Sequence, residues 1–191
     1  TVTVSGSTET FTVTDSSGFY SVILPAEGSY TLTPSRVNYT FEPVSLSTAA
    51  LAADWAAGFT AALNQYLVTG SVTVHGAGLE GATVTVSGSS GAFVLTDANG
   101  SYSFLLSAEG NYTFTPAYAG YAFAPASVST ANLSGAWPAG TFTAGYLVSG
   151  SVTVEGVGLA GVNIGVSGST ATTAVTGADG SFLTVLPADG V

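Results

Sequence analysis

The chain reads as an all-β protein, a tandem array of Greek-key β-sandwich domains of about 80 residues each. Three observations predict this. The first is a domain-sized internal repeat: Thr83–Pro116 answers Thr1–Pro34 at a spacing of 82 positions. A third copy opens at Tyr146, where YLVSGSVTVEGVGLAG answers YLVTGSVTVHGAGLEG from Tyr66 at a spacing of 80. The second is apolar alternation with period two, and the third is turn chemistry between the alternating runs. The repeat divides the chain into a partial copy at 1–65 lacking its first-strand region, a complete copy at 66–145, and a partial copy at 146–191 lacking its C-terminal strands. The two partial copies overlap in their matching regions from Thr1 to Gly28, so one does not simply complete the other. This frame is expected of a window within a longer protein, with exchange of strands between subunits as the alternative. The change of spacing falls between Gly58 and Tyr66, where GFTAALNQY shortens to GTFTAGY.

The complete copy supplies the strands in order. In SVTVHG, Val72 and Val74 share a face opposite Ser71, Thr73 and His75. Val84 and Val86 oppose Thr83 and Thr85; Tyr102, Phe104 and Leu106 line one face of SYSFLL. Tyr112 with Phe114, and Tyr121 with Phe123, continue the pattern, and Phe142 closes the unit. Inward aromatics and valines form the expected core. Turns are predicted at Asp15–Gly18, Asp97–Gly100 and Ala178–Gly180, where Gly supplies a positive φ and Asp or Asn bonds back to the backbone. Gly76, Gly78 and Gly81, and the Ala-Glu-Gly triplets at 26–28 and 108–110, mark further tight connections. The Ala-rich stretch 49–57 is the nearest approach to a helix, but its counterpart carries Gly135 and Pro138, which argues against one.

Composition narrows the function classes. Arg36 is the single basic residue against eleven acidic ones, giving a net charge of −10. Nucleic acid and anionic membrane surfaces, which select basic patches, are therefore not expected partners. No apolar run is long enough to span a bilayer, so no membrane insertion is expected within this segment. Charged residues make up only 6% of the chain, against about a quarter in an ordinary soluble domain. Solvation must come from Ser, Thr, Asn, Gly and backbone, or the surface must be covered by glycan or by neighbouring copies. The absence of Cys excludes disulfides and thiolate metal sites.

Candidate sites are few. His75 is the single imidazole and its counterpart is Glu155; no spacing supplies partners for a catalytic or ligating role, so it reads as an exposed strand-end residue. Asp15, Asp97, Asn99 and Asp179 read as turn formers, since a calcium site needs six to eight oxygens and no dense acidic loop exists. No catalytic constellation, cofactor fingerprint or metal motif appears: no enzyme, no cofactor and no metal are expected. Asn38, Asn111 and Asn132 head N-glycosylation sequons; the alternation turns Tyr39 and Tyr112 inward and so places Asn38 and Asn111 toward solvent. Trp55 and Trp137 occupy equivalent places before the last strand, where packing or assembly contacts are the favoured reading over stacking on a sugar. Thr-rich Thr83–Val86 is read as an exposed edge that invites pairing with a neighbour.

The ordered motifs GSVTVxGxGLxGATVTVSG, TDANGSYSF, NYTFTP and GYAFAPAS resemble the carboxypeptidase regulatory-like repeats, of prealbumin-like (transthyretin-like) fold, and are similar to B-type repeats of bacterial collagen adhesins. The resemblance, clearest from Tyr66 to Pro125, implies Ig-like or prealbumin-like sandwiches acting as spacers, stalks or accessory modules of secreted or surface proteins. Many collagen-adhesin repeats carry a Lys–Asn or Lys–Asp isopeptide bond, and a chain without Lys cannot form it. The function expected is a structural repeat protein of an extracellular filament, sheath or surface stalk, whose partners are copies of itself. The alternative is an adhesin module that binds carbohydrate or a host protein.

Overall fold

A computed structural model describes residues 1–168 and 171–188 of the chain. Among them every regular element is a strand. The chain divides into two compact units, Thr1–Gln65 and Tyr66–Val191, the second holding the middle and last copies of the repeat.

The first unit contains β1 (Val2–Gly6), β2 (Thr10–Thr12), β3 (Tyr30–Pro34), β4 (Tyr39–Glu42), β5 (Leu46–Thr48) and β6 (Thr60–Leu63). One sheet is four-stranded in the order β2-β1-β3-β5, and β4 pairs with β6 in a separate two-stranded ladder. The alternation in VTVSG and YTLTP turns Val2, Val4, Tyr30 and Leu32 into a small core.

In the second unit the middle copy runs β7 (Gln65–Val74), β8 (Ala77–Gly78), β9 (Thr83–Gly88), β10 (Ala92–Leu95), β11 (Ser101–Ser107), β12 (Tyr112–Ala117), β13 (Ala122–Ala124) and β14 (Val128–Thr130). Its last strand is the first half of β15 (Trp137–Ser151), which continues without a break into the last copy. That copy adds β16 (Thr153–Val154), β17 (Val157–Gly158), β18 (Asn163–Val166), β19 (Thr172–Val175) and β20 (Ser181–Pro187). The middle copy is a two-sheet sandwich: β10-β9-β12-β14 forms one layer and β11-β7-β15-β13 the other. Between them lie Val68, Val72, Val84, Val86, Tyr102, Phe104, Leu106, Tyr112, Phe114, Phe123 and Phe142. All the inward residues read from the alternation of β9, β11 and β12 are here.

The parallel pairing of β7 with β15, from Trp137 opposite Val68 to Thr143 opposite Thr73, closes the second sheet, with a register shift between Pro138 and Gly140. Ser71 and Thr141 meet across it with hydroxyl oxygens 2.8 Å apart. This pairing joins the beginning of the copy to its end, a long-range contact that no local pattern announces.

Two expectations need correction. Thr83–Val86 is not an edge: β9 lies between β10 and β12, its Thr85 opposite both Phe93 and Thr115, so its backbone groups are paired on both sides. Asn38 does not face solvent; it is 9% exposed, with a φ of 67° in the turn before β4, and its carbonyl accepts the Asn64 N–H at 2.8 Å. The alternation argument failed because Asn38 precedes the strand and its left-handed backbone breaks the period.

Candidate assembly edge and aromatic cluster

The edges of the β10-β9-β12-β14 sheet are β10 and β14, and β10 is paired among the described residues only with β9. Its Val94 packs toward the core, which sends Phe93 and Leu95 outward, 69% and 60% exposed. The first unit repeats the arrangement on and just beyond β2, where Phe11 is 68% and Val13 62% exposed. In the last copy Val175 on β19 takes the outward place of Leu95. Apolar side chains beside a row of unpaired backbone groups thus recur at one position of the repeat.

A tethered turn fixes one end of that edge. The Thr96 hydroxyl, buried behind β10, accepts the Ala82 N–H at 2.9 Å and donates to the Leu79 carbonyl. Thr176 makes the same pair of bonds with Val162 and Leu159 in the last copy. Next to it, the Asp97 carboxylate accepts the N–H groups of Asn99 and Ser101 at 2.9 and 2.8 Å, as Asp15 does for Ser17 and Phe19 at 2.8 and 3.0 Å. Asp179 accepts both the N–H and the hydroxyl of Ser181, and the hydroxyl chiefly holds its carboxyl below the usual range. These carboxylates are engaged as turn formers, as their spacing predicts. Among the described residues no cluster of three His, Asp or Glu is placed to hold a metal.

The remaining candidates are dispersed. His75 sits exposed at φ 54° in the β7–β8 turn, and Glu155 repeats it at φ 51°. Trp137 is half-buried with its ring 5.6 Å from that of Phe114, inside its own sandwich; Trp55 packs in the same way on the core of the first unit. Asn111 is exposed, and its side-chain oxygen accepts the N–H of Asn132 at 2.8 Å, so these two sequons meet across one loop pair.

One constellation has no counterpart in the candidates read from the sequence. Tyr118, Tyr121 and Tyr146 form an aromatic run, with centroids 5.9 Å apart in the first pair and 5.7 Å in the second, the second pair stacked at 27°. Tyr118 and Tyr146 are exposed. Burial, and then the neighbouring Tyr146 hydroxyl, push the Tyr121 phenol up. In the first unit the matching place holds Arg36, whose guanidinium lies 4.5 Å over the Tyr39 ring. The signal available in sequence was three tyrosines spread over 29 positions, and only the β13–β15 pairing, with Ala122 opposite Gly145, brings them together.

The family model and one solved structure agree with this architecture. Residues 68–143 match the family model of the carboxypeptidase regulatory-like domain, so the middle copy is a sandwich of the type its motifs resemble. No curated protein matches the chain in sequence. Among solved structures, the Bacillus anthracis TIE protein is similar over 97% of this chain and 39% of its own, with a TM-score of 0.56 at 15% identity. A streptococcal ancillary pilin aligns over 85% of this chain and 63% of its own, with a TM-score of 0.34 at 16% identity. The chain therefore spans about two fifths of the first of these proteins and under two thirds of the second. What the first shares with this chain is the fold.

Proposed function

We propose that the chain is a structural repeat protein of an extracellular filament, sheath or surface stalk, held together by lateral packing of its sandwiches. The observation that carries this reading is the recurrent apolar edge: Phe93 and Leu95, repeated as Phe11 and Val13, stand outward beside unpaired strand backbone. A sandwich facing only water gains nothing from such an edge, whereas a neighbour pairing against it satisfies the backbone and buries the side chains together. A contact that does not close on itself propagates into a fibre. The low density of charge, 6% of residues, leaves most of the surface to Ser, Thr, Gly and apolar side chains, although the net charge of −10 opposes association at low ionic strength.

The test is assembly of the full chain carrying F93K and L95K, with F11K added. Negative-stain imaging and light scattering of the parent chain should show concentration-dependent polymer, and the triple variant should remain dispersed with its strand spectrum intact. Unchanged polymer in the variant, or a parent that stays monomeric at high concentration, overturns the reading.

A second reading, an adhesin module, is favoured by one observation, the exposed Tyr118–Tyr121–Tyr146 stack. Flat aromatic faces in series suit the apolar faces of sugar rings. Glycan-array binding lost in Y118A/Y146A, with assembly unaffected, would favour this alternative.

A further inference from the structure

Consecutive copies meet inside the second unit without a linker. β15 (Trp137–Ser151) is the last strand of the middle copy up to Gly145 and the first strand of the last copy from Tyr146, and it crosses the boundary unbroken. A continuous strand fixes the distance between two sandwiches, because each extended residue adds about 3.3 Å. It does not fix their angle, since every residue keeps two soft backbone torsions. The buried cluster of the middle copy contains no residue of the last copy, so a shared core does not hold the angle either. The angle is held by contacts that stand off the strand axis at the boundary, and two are present.

The first is the backbone around Gly145. Ala122 of β13 pairs with it on one edge and Pro187 of β20 on the other, so a strand of each copy grips the same residue. Gly145 is buried, and a Cβ there would fall on the Leu186 carbonyl. Glycine is needed at this position for close approach, which lets β20 reach the boundary itself. The second contact is the tyrosine run. Tyr118 and Tyr121 are the two ends of a tight turn between β12 and β13, closed by the Tyr121 N–H donating to the Tyr118 carbonyl at 3.2 Å, with Gly120 at φ 84°. Tyr121 is half-buried against the core of the middle copy. Tyr146 opens the last copy, 54% exposed, and continues the β13–β15 register opposite Tyr121. The two rings stack at 5.7 Å and 27°, and Tyr118 lies behind Tyr121 at 5.9 Å. A ring rooted in one sandwich is thus laid on a ring carried by the next.

We infer that Tyr118, Tyr121 and Tyr146 form a clasp that sets the angle between the middle and last copies, with Gly145 admitting the strand that braces it. While the clasp is closed the two copies turn as one body; when it opens they swing about residues 144–147. The inference goes beyond lateral packing, because it concerns the stiffness of a single chain and holds or fails whether or not chains associate. It also gives the exposed tyrosines a partner inside the molecule, the neighbouring copy, in place of a ligand from outside.

Spin labels on the full chain decide it. Ser103 on β11 and Asn163 on β18 are exposed strand positions, one in each copy, and the chain contains no Cys of its own. Pulsed dipolar spectroscopy of S103C/N163C in dilute solution should give one narrow distance distribution. Y146A removes a ring that lies outside the buried cluster, so the strand spectrum should stay intact while the distribution broadens about twofold or more; Y121A should broaden it likewise. Y146F should keep the narrow distribution, since stacking needs the ring and not the hydroxyl. L147A, at the exposed next position of β15, should leave it unchanged. G145A should shift the distance, because β20 has to move to admit the methyl group. A broad distribution in the parent, or one equally narrow in Y121A and Y146A, overturns the clasp and leaves the filament reading untouched. Glycan binding that is lost in Y146A while the distance stays narrow overturns the clasp in favour of the adhesin reading.

Discussion

Tyr20 and Tyr102 hold the same place in two copies of the repeat and live in different surroundings. Tyr102 is 4% exposed, packed between Phe104 and Phe142 at centroid distances of 6.1 and 6.2 Å, and its hydroxyl is buried without a hydrogen-bond partner. Tyr20 is half-buried and its hydroxyl is bonded to Ala57. Thr96 and Thr14 differ in the same sense: one is a buried hub between Ala82 and Leu79, the other is exposed. By contrast Tyr112 and Tyr30 are alike in both copies, each hydroxyl donating 2.9 Å to a carbonyl five residues back. The two copies agree wherever the sheet β9-β12-β14, or its match β1-β3-β5, supplies the neighbours. They diverge wherever the neighbour is β7 or the turn that follows it. Where β7 is the neighbour the second sheet is continuous from β11 to β13; in the first unit the β4–β6 ladder alone represents it.

The largest expected effect comes from striking that strand directly. V72D places a carboxylate at a fully buried position with no partner and should cost about 4 kcal/mol or more, enough to remove the unfolding transition of the second unit. V22D, at a half-buried position of the first unit, should cost clearly less in the same denaturant titration. An equal loss at both sites would break the comparison.

Next comes T96V, which leaves the Ala82 N–H and the Leu79 carbonyl without their hydroxyl partner and should cost about 2–3 kcal/mol. T14V, at an exposed hydroxyl, should stay within about 0.5 kcal/mol of the parent. The third test is G70A, whose new methyl group meets a Tyr102 ring that Phe104 and Phe142 hold in place, at a cost of about 2 kcal/mol. G150A should cost less, since Phe182 is half-exposed and can move aside, and G91A, in open space, should leave the melting temperature unchanged.

The smallest effects come from the two hydroxyls themselves. Y102F removes an unpaired buried hydroxyl and should be neutral or stabilising by about 1 kcal/mol, while Y20F loses a bond and should cost about 1 kcal/mol. Burial pushes the Tyr102 phenol up to about 12 from an ordinary value of 10.0. Its neutral form is the one the fold accepts, so this contribution is complete below pH 10 and is lost as pH rises through 12. Alkaline melts of Y102F should show a shallower decline across that window than the parent.

Much of this was legible in the residues. Val84, Val86, Tyr102, Phe104, Leu106, Tyr112 and Phe114 are inward because alternation is a property of the extended backbone itself. The Asp15 and Asp97 turns were legible because an Asp side chain bonds within four residues of its own position. The edge was misplaced because sheet order is not local: whether Thr83–Val86 or Ala92–Leu95 lies outside depends on β12 arriving from some 30 residues away. The burial of Asn38 and the tyrosine cluster escaped for related reasons, one a left-handed turn residue and the other a pairing of distant strands.

The sequence by itself determined the repeat, the strands, their inward faces and the turns, since each follows from steric and hydrogen-bonding preferences spanning a few residues. Only the tertiary structure decided which strands are edges, which tyrosines meet, and that β7 and its parallel partner close the second sheet. The reason is that a strand's two backbone edges are chemically alike until a neighbour, brought from far along the chain, occupies one of them.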